Sequence, residues 1–326
     1  MRILVTGGAG YVGGFAARYL LASGHDVVVL DNLSTGHRAC VPEETLVVGD
    51  VGERAILDPL LSQHRIEAVM HFAASAYVGE SVRDPRSYYR NNVANTLSLL
   101  EAMLDHDVRR LVFSSTCAVY AETEEMPLHE DSAQAPLSPY AFSKAVIERM
   151  IADFSRAYDL DYVLLRYFNA AGASSDGSHG EDHRPETHLL PLALQTVLGQ
   201  REKLEVYGSD YPTPDGTCIR DYVHVEDLAQ AHQLALHATT GANTVFNIGT
   251  GAGHSVLEVL RAVERVTGKP VPFEATARRP GDTPRLVASS DKIRRELGWK
   301  PRYEELDQIT ATAWEWHRNH PEAYGG

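Results

Sequence analysis

The sequence predicts an α/β protein with a doubly wound parallel sheet and a smaller, mixed α/β lobe at its C-terminal end. Short β-branched segments alternate with amphipathic ones along the first half of the chain, as in βαβ units with right-handed crossovers. A glycine-rich turn directly follows the first of these segments, where dinucleotide-binding sheets carry one. The alternation ends near Phe168. We therefore expect residues 1–168 to form a nucleotide-binding domain and residues 169–326 mainly a substrate-binding lobe, with some segments returning to the first domain.

The individual elements follow from apolar patterning. Short apolar segments predict strands over Arg2–Thr6, Val27–Leu30, Thr45–Val48, Ala68–Phe72, Leu111–Ser115 and Tyr162–Leu165. Apolar residues at helical spacing predict helices over Phe15–Ala22, Tyr88–Leu104, Pro139–Tyr158 and Leu189–Leu198. Short strands, turns and further helices are expected from there to the C-terminus.

Composition excludes several classes of function. The 326 residues include 30 Lys+Arg and 44 Asp+Glu, for a formal net charge of −14, which argues against nucleic-acid binding through a basic face. No apolar run approaches the ~20 residues of a membrane span. The three cysteines are few and far apart, so neither a disulfide framework nor a CxxC metal site is predicted. We expect a soluble, cytoplasmic protein with no membrane partner.

The first turn has glycines at positions 7, 10 and 13, between a strand and a helix. Gly7 allows a tight turn, Gly10 lets the backbone approach a diphosphate, and Gly13 lets helix and strand pack closely. The helix N-terminus then offers free N–H groups to the phosphates. Such a turn alone is a weak signal, because ordinary tight turns also use glycine. Its position after the first strand favours a Rossmann-like nucleotide site.

An acidic residue completes the nucleotide pattern. Asp31 follows the second strand, 21 residues beyond Gly10, where a carboxylate binds the adenosine ribose hydroxyls. A carboxylate there repels a 2′-phosphate, so the sequence favours NAD over NADP. The alternative is a loop aspartate that forms an Asx turn with Asn32. Asp50 and Val51, after the third strand, are candidates for the adenine contact, although Gly-Asp by itself is only a turn signal.

Candidate catalytic groups lie further along. Tyr140 and Lys144 are four residues apart and project from one face of a helix. A nearby ammonium lowers the pKa of a phenol, which would let Tyr140 act as a general base near neutral pH. Thr116 ends the fifth predicted strand, at the sheet edge where open α/β folds bind ligands. An amphipathic helix with a surface lysine is the alternative explanation of the pair.

The chain resembles the extended short-chain dehydrogenases/reductases that act on nucleotide sugars, and among them the UDP-glucose 4-epimerases. The matching stretches cover the chain essentially from end to end. They are Met1–Gly13, His25–Leu33, His71–Ala73, Val78–Ser81, Tyr88–Val93, Phe113–Tyr120, Pro139–Lys144, Leu165–Asn169, Asp215–Asp227, Asn247–Gly253, Arg278–Asp282 and Trp314–Pro321.

The resemblance implies a tightly bound NAD and reversible 4-epimerisation of a UDP-sugar, UDP-galactose to UDP-glucose, through a 4-keto intermediate. Tyr140 would remove the proton of the 4-hydroxyl, Lys144 would hold the nicotinamide ribose, and Thr116 would hydrogen-bond the reacting oxygen. The implied NAD contacts are Gly7, Gly10, Tyr11, Val12, Gly13, Asp31, Asn32, Ser34, Thr35, Gly36, Asp50, Val51, Phe72, Ala73, Ala74, Asn91, Thr116, Tyr140, Lys144 and Phe168.

The resemblance also implies a UDP-sugar site. Its residues are Thr116, Tyr140, Asn169, His188, Leu189, Glu205, Tyr207, Arg220, Arg279 and Asp282. Arg220 would bind the diphosphate, although a surface ion pair with Asp221 explains it equally well without the resemblance. Arg279 would otherwise be a solvated loop cation, and His188 a polar lining residue.

Several alternatives remain open. UDP-arabinose/UDP-xylose and UDP-GalNAc/UDP-GlcNAc are other candidate substrate pairs, and Leu286, where some relatives have tyrosine, predicts weak acceptance of N-acetylated sugars. A non-catalytic nucleotide-sugar-binding protein is the alternative from another class. The family implies a homodimer formed through the helices around Tyr88–Leu104 and Ala141–Phe154. No metal site is expected, because His179, His183 and His188 lack the helical spacing of a ligand pair.

Overall fold

A computed structural model describes residues 1–241, 243–279 and 282–325. Seven parallel strands form the central sheet. These strands are β1 (Arg2–Thr6), β2 (Asp26–Asp31), β3 (Leu46–Val48), β4 (Ala68–His71), β5 (Arg110–Thr116), β6 (Asp161–Tyr167) and β10 (Thr244–Ile248). Their spatial order is β3-β2-β1-β4-β5-β6-β10. This is the doubly wound arrangement that the sequence predicts, with one more strand contributed by the second half of the chain.

Smaller sheets belong to the second half of the chain. Their strands are β7 (Asn169–Ala171), β8 (Leu204–Tyr207), β9 (Ile219–His224), β11 (Gly253–Ser255), β12 (Phe273–Thr276) and β13 (Arg285–Leu286). β9 pairs with β7, β11 and β13, and β8 pairs with β12. The boundary at residue 168 stays a prediction, because β10 returns to the central sheet.

Helices cover both faces of the central sheet. They are α1 (Tyr11–Ala22), α2 (Arg54–Gln63), α3 (Val78–Arg83), α4 (Pro85–Tyr88), α5 (Asn95–Asp105), α6 (Pro139–Tyr158), α7 (Leu189–Val197), α8 (Val225–Ala238), α9 (Val256–Thr267), α10 (Asp291–Leu297) and α11 (Leu306–Asn319). In the described part of the chain, none of them combines the length and apolar character that crossing a bilayer requires.

Two helix predictions differ from the structure. α1 begins at Tyr11 rather than Phe15, because Gly13 and Gly14 interrupt the apolar periodicity without interrupting the helix. The predicted helix Tyr88–Leu104 is three elements, since a π-helical segment, Tyr89–Ala94, separates α4 from α5. The wider turn shifts the buried face, so that Leu97 is exposed while Leu99 is buried.

Alternate residues of the central strands enter two separate cores. Ile3 and Val5 of β1 belong to one buried cluster, and Leu4 belongs to another. All three are fully buried, as expected for a parallel sheet covered on both faces. A third cluster fills the second lobe between α7, α9 and α11.

A buried ion pair joins α6 to β6. Arg166 donates from Nε to Glu148 Oε1 at 2.9 Å and from Nη2 to Oε2 at 2.6 Å, and both side chains are at most 6% exposed. Ser115 on β5 donates to the same carboxylate at 2.5 Å. Arg166 also donates to the Tyr120 hydroxyl at 3.0 Å. The network therefore fixes α6 against the ends of two neighbouring strands.

Glu148→Ala leaves the Arg166 guanidinium buried without its counter-charge. We expect it to lower the free energy of unfolding, measured by urea titration, by about 3–5 kcal/mol. Arg149→Ala is the matched control on the same helix, because Arg149 pairs with Asp153 at the surface and should change stability by about 1 kcal/mol or less. The pair Glu148→Leu with Arg166→Met should be less harmful than Glu148→Ala alone. Equal effects of Glu148→Ala and Arg149→Ala would contradict this account.

Candidate active site

The glycine-rich turn lies between β1 and α1, at the carboxyl edge of the central sheet. Gly7 has φ +71°, and a Cβ there would lie 2.4 Å from the Ala73 nitrogen. A Cβ on Gly13 would lie 2.2 Å from the Gly7 oxygen. A Cβ on Gly10 would have only the Gly7 oxygen within 4 Å, at a distance of 3.4 Å. Gly7 and Gly13 are thus required by the protein's own packing, whereas Gly10 leaves its side of the turn open to a ligand.

Asp31 ends β2 beside this turn and is 8% exposed. Its Oδ2 accepts from the Ala9 N–H at 2.9 Å and its Oδ1 from the Leu33 N–H at 2.8 Å. Burial raises the pKa of Asp31, and these two N–H groups oppose the shift. The structure therefore contains an Asx turn, closed on Leu33 rather than Asn32. Each oxygen retains a lone pair for a ribose hydroxyl.

Asp50 is oriented by its neighbours. Its Oδ2 accepts from Asn32 Nδ2 at 2.9 Å, and its Oδ1 accepts from the Gly52 N–H and Asn95 Nδ2, each at 2.8 Å. Ser34, Thr35 and Gly36 lie in the loop after β2, where the Ser34 N–H donates to Asn32 Oδ1 at 3.0 Å. Both acidic residues expected at the nucleotide site are therefore held by hydrogen bonds that leave room for a ligand.

Among the remaining residues expected to contact NAD, some are held by hydrogen bonds and others pack their side chains into the protein. The N–H groups of Phe72 and Ala73 donate to the Thr6 oxygen at 2.9 and 3.1 Å, which fixes the β4 end against the turn, with Ala74 next to it. Asn91 donates to Ser75 Oγ at 3.1 Å. The side chains of six of these residues pack into the protein, namely Tyr11, Val12, Val51, Phe72, Ala73 and Phe168. A protein-facing side chain leaves only its backbone or one edge for a cofactor.

Thr116, Tyr140 and Lys144 converge at the carboxyl end of β5. Ser138 caps α6 by accepting from the Ala141 N–H at 3.2 Å, which places Tyr140 and Lys144 in the first two turns. Lys144 is 4% exposed, donates to the Ser114 oxygen at 2.9 Å and lies 4.7 Å from the centre of the Phe113 ring. The amine is thus fixed by the strand that ends in Thr116.

Burial dominates the protonation of both groups. It lowers the pKa of Lys144 to about 7, although Glu148 favours the ammonium. Burial also raises the pKa of Tyr140, with Tyr167 adding to the effect and Thr116 opposing it. The expectation that Lys144 lowers the Tyr140 pKa is wrong for the chain alone. The lysine donates to the Ser114 oxygen, and burial lowers its own pKa to about 7, so that it carries only part of a full positive charge at neutral pH.

The expected diphosphate residues lie in the second lobe. Arg220 on β9 is 13% exposed at its side chain and lies 3.6 Å from Asp282 Oδ1. It also donates to the Thr283 oxygen at 2.9 Å. The alternative ion pair with Asp221 is not made, because Asp221 accepts instead from Thr250, Gly251 and Ala288. Two of the expected substrate residues, Arg220 and Asp282, are thereby brought together.

A second group of expected residues forms around Tyr207. The Arg279 guanidinium lies 3.8 Å from the centre of the Tyr207 ring, and the Tyr207 hydroxyl donates to Glu205 at 2.5 Å. Arg279 is exposed, and its guanidinium lies against an aromatic face. Together these residues form one side of a candidate nucleoside pocket.

His188 is the residue before α7, and Leu189 is the first residue of that helix. Asn169 begins β7, directly after the central strand β6. His188 Nδ1 lies 2.8 Å from Glu181 Oε1 and 3.0 Å from Glu186 Oε1. Desolvation opposes protonation of His188, although its side chain is 46% exposed, and these two carboxylates raise its pKa well above its usual value.

Sequence reasoning missed two features of the site. Glu148, four residues after Lys144, anchors the catalytic helix, and that spacing was a readable signal. The grouping of Glu181, His183, Glu186 and His188 was not expected, because a loop rather than a helix brings these side chains together.

Comparison with known proteins gives these residues a context. The chain matches the model of the NAD dependent epimerase/dehydratase family over residues 3–249. It is 49% identical over 326 residues to a UDP-glucose 4-epimerase of Halalkalibacterium halodurans, covering 99% of this chain and 98% of the relative.

Two solved structures are similar over nearly their full length. The UDP-glucose 4-epimerase of Brucella ovis in complex with NAD is 48% identical, with a TM-score of 0.92 and coverage of 96% of this chain and 97% of that one. The UDP-glucose 4-epimerase of Stenotrophomonas maltophila, with bound NAD and formylated UDP-arabinopyranose, is 39% identical, with a TM-score of 0.94 and 99% coverage of both chains. The described turn, with its open Gly10 and its ordered Asp31, fits NAD.

The turn predicts different outcomes for two Gly→Ala variants. Gly13→Ala forces a Cβ onto the Gly7 oxygen and should lower the free energy of unfolding by about 1–3 kcal/mol. Gly10→Ala should change stability by only about 0.5 kcal/mol but weaken NAD binding by about tenfold or more, since its Cβ would occupy the side of the turn that is open to a diphosphate. Urea unfolding and titration with NAD separate the two effects.

Gly79→Ala is the control, because no atom lies within 4 Å of its added Cβ. It should leave NAD affinity unchanged. If Gly10→Ala binds NAD as tightly as Gly79→Ala, the turn does not hold the diphosphate as described.

Proposed function

Since this chain belongs to the NAD dependent epimerase/dehydratase family, we propose the roles that its own residues play in the chemistry of that family. The chain is an NAD-dependent enzyme that epimerises UDP-sugars at C4, interconverting UDP-galactose and UDP-glucose. The observation that carries the residue assignment is the convergence of Thr116, Tyr140 and Lys144 at one sheet edge, next to the glycine turn.

Tyr140 is the proton acceptor for the 4-hydroxyl of the sugar, and Thr116 hydrogen-bonds the same oxygen. When bound, NAD would supply reversible hydride transfer at C4 of the sugar and would not be consumed. Lys144, fixed on the Ser114 oxygen, holds the nicotinamide ribose. Because burial raises the Tyr140 pKa, the phenolate forms only when bound ligands add positive charge at the site.

The UDP portion binds in the second lobe. Arg220 contacts the diphosphate, and Asp282 contacts the uridine ribose once its contact with Arg220 is released. Arg279 stacks on Tyr207 and adds positive charge for phosphate, while Glu205 and Tyr207 contact uracil largely through backbone groups. His188, Leu189 and Asn169 complete the diphosphate side. The 3.6 Å distance between Arg220 and Asp282 supports a single binding region for the diphosphate and the uridine.

The direct test is proton NMR of the purified protein with UDP-galactose and no added NAD. Appearance of the UDP-glucose anomeric signal establishes both 4-epimerisation and retention of NAD. Parallel samples with UDP-arabinose and UDP-GalNAc measure the pentose and C2 alternatives, and Leu286, which packs with the buried cluster around Phe168, is expected to give weak UDP-GalNAc turnover. Binding of UDP without turnover of any sugar would favour a non-catalytic nucleotide-sugar-binding protein.

Tyr140→Phe removes the proton acceptor and should lower kcat by about 10²–10⁴-fold, while NAD and UDP still bind. Tyr158→Phe is the matched control on the same helix, because Tyr158 is 51% exposed and lies at the far end of α6. Steady-state kinetics measures kcat for the two variants, and titration with UDP shows whether each still binds the nucleotide. Turnover by Tyr140→Phe at the Tyr158→Phe rate would refute the assignment of the base.

We also propose that the protein works in the cytoplasm as a homodimer. All three cysteines are buried and unpaired, which suits a reducing compartment. The region around α3–α6 exposes a set of large apolar side chains, namely Val78, Val82, Tyr89, Leu97 and Phe142. Tyr89 and Phe142 meet edge to face, with ring centres 6.3 Å apart. Burying this apolar set supports association of two copies.

Phe142→Asp places a charge in this apolar set and should weaken the dimer by about tenfold or more. Light scattering coupled to size-exclusion chromatography, over a range of concentrations, measures the dissociation. Phe273→Asp is the control, because both phenylalanines are 49% exposed and Phe273 lies on β12 in the second lobe. Dissociation by Phe273→Asp but not Phe142→Asp would move the interface elsewhere.

A further inference from the structure

The loop before α7 gathers four side chains with metal-binding chemistry. Glu181, His183, Glu186 and His188 each contribute one donor atom, and all four atoms lie within 4.8 Å of one another. The Glu181 and Glu186 side chains are only 4% and 5% exposed. The proposed epimerisation uses His188 alone among them, so the other three side chains need a separate explanation.

The distances between the donor atoms of these four side chains are comparable to those between the ligand atoms of a tetrahedral metal site. His183 Nδ1 lies 3.1 Å from Glu181 Oε1 and 3.6 Å from Glu186 Oε2. His188 Nδ1 lies 2.8 Å from Glu181 Oε1 and 3.0 Å from Glu186 Oε1. In a tetrahedral site with bonds of about 2.1 Å, neighbouring donor atoms are about 3.4 Å apart. The measured distances of 2.8–3.6 Å bracket that value, and since all four donor atoms lie within 4.8 Å of one another, the shell would close by contraction of its widest pairs.

The charge of the group has two solutions. Glu186 Oε1 accepts from the Thr187 and His188 N–H groups at 2.7 and 2.8 Å. The remaining negative charge of the two carboxylates is balanced either by imidazolium rings or by one divalent cation with both imidazoles neutral. The Nδ1 atom of His183 distinguishes them. It is fully buried and makes no hydrogen bond, although two carboxylates lie close by. The 3.1 Å contact with Glu181 is poorly aligned for a hydrogen bond, whereas a lone pair on this nitrogen would face a cation held by the two carboxylates.

We propose that Glu181, His183, Glu186 and His188 form a four-coordinate site for a divalent cation of the zinc class. Two imidazole nitrogens and two carboxylate oxygens suit zinc, while magnesium and calcium prefer oxygen ligands alone in larger shells. Four protein ligands leave no open position, which is the mark of a structural site rather than a catalytic one.

The position of the site indicates what the cation would stabilise. The His183 ring packs edge-on against Tyr11 and Tyr77, with ring centres 6.2 Å away in each case. Tyr11 begins α1, and Tyr77 precedes α3. The cation therefore fixes the loop before α7 against the nucleotide-binding half of the molecule. The site shares His188 with the proposed diphosphate region, and no chemical step of the epimerisation passes through the cation.

The first test measures metal content. Tag-free protein is incubated with ZnCl₂, passed through a desalting column and analysed by mass spectrometry for zinc, with about one zinc per chain expected. With CoCl₂ in place of zinc, the visible spectrum should show the intense absorption of four-coordinate Co²⁺. Zinc should also raise Tm, because it binds the folded state. A wild-type protein that retains no zinc, or gives only the weak spectrum of six-coordinate Co²⁺, overturns the proposal.

Variants locate the site among the protein's 15 histidines. His183→Ala and Glu186→Gln should lose the bound zinc and the zinc-dependent rise in Tm. His64→Ala is the control, because His64 is exposed and outside the group, and it should retain both. Equal zinc content in Glu186→Gln and His64→Ala would show that zinc binds elsewhere and refute the assignment. If a variant does not fold, the wild-type zinc content and Co²⁺ spectrum still decide the question.

Discussion

The ion pair between Glu148 and Arg166 is the constraint on which the geometry of the active site depends. It joins the helix that carries Tyr140 and Lys144 to β6, and through Ser115 to the strand that ends in Thr116. A buried ion pair is stabilising only when its hydrogen bonds are complete. Here the carboxylate accepts from both a guanidinium and a hydroxyl, and Arg166 also reaches Tyr120. The three reactive side chains are thus positioned by polar contacts behind them.

The same burial that fixes these groups controls their charge. Desolvation raises the Tyr140 pKa and lowers that of Lys144, so burial shifts each group towards its neutral form. A site of this kind gains its base only after charged ligands enter, which couples proton removal to binding. Glu148 moderates this effect by favouring the Lys144 ammonium. One carboxylate therefore has both a mechanical and an electrostatic influence.

The site also depends on contacts between the two halves of the chain. The Tyr11 hydroxyl donates to the Gly172 oxygen at 2.6 Å, and Tyr11 and Phe15 pack with Val225 and Ala229 of α8. β10 extends the central sheet beside β6. Residues of the glycine-rich turn and of the second half of the chain are therefore held in one structure by hydrogen bonding and by a shared core, which would favour a fixed distance between the proposed cofactor and substrate sites.

Local patterns in the sequence determined much of this protein. The sequence predicts six of the seven central strands and the range of α6 from the spacing of apolar residues. It predicts the glycine turn from turn chemistry, and the candidate trio of Thr116, Tyr140 and Lys144 from a strand end and a four-residue spacing. Tertiary structure alone decided the rest. Some contacts join residues that come together only when the chain has folded. They are the Arg220–Asp282 contact, the Arg279–Tyr207 stacking and the loop group around His183. The protonation of Tyr140 also depends on the solvent that the surrounding chain excludes. The spacing of residues along one helix or strand predicts which side chains share a face. Their burial and their hydrogen-bond partners are determined only after elements distant in sequence have packed together.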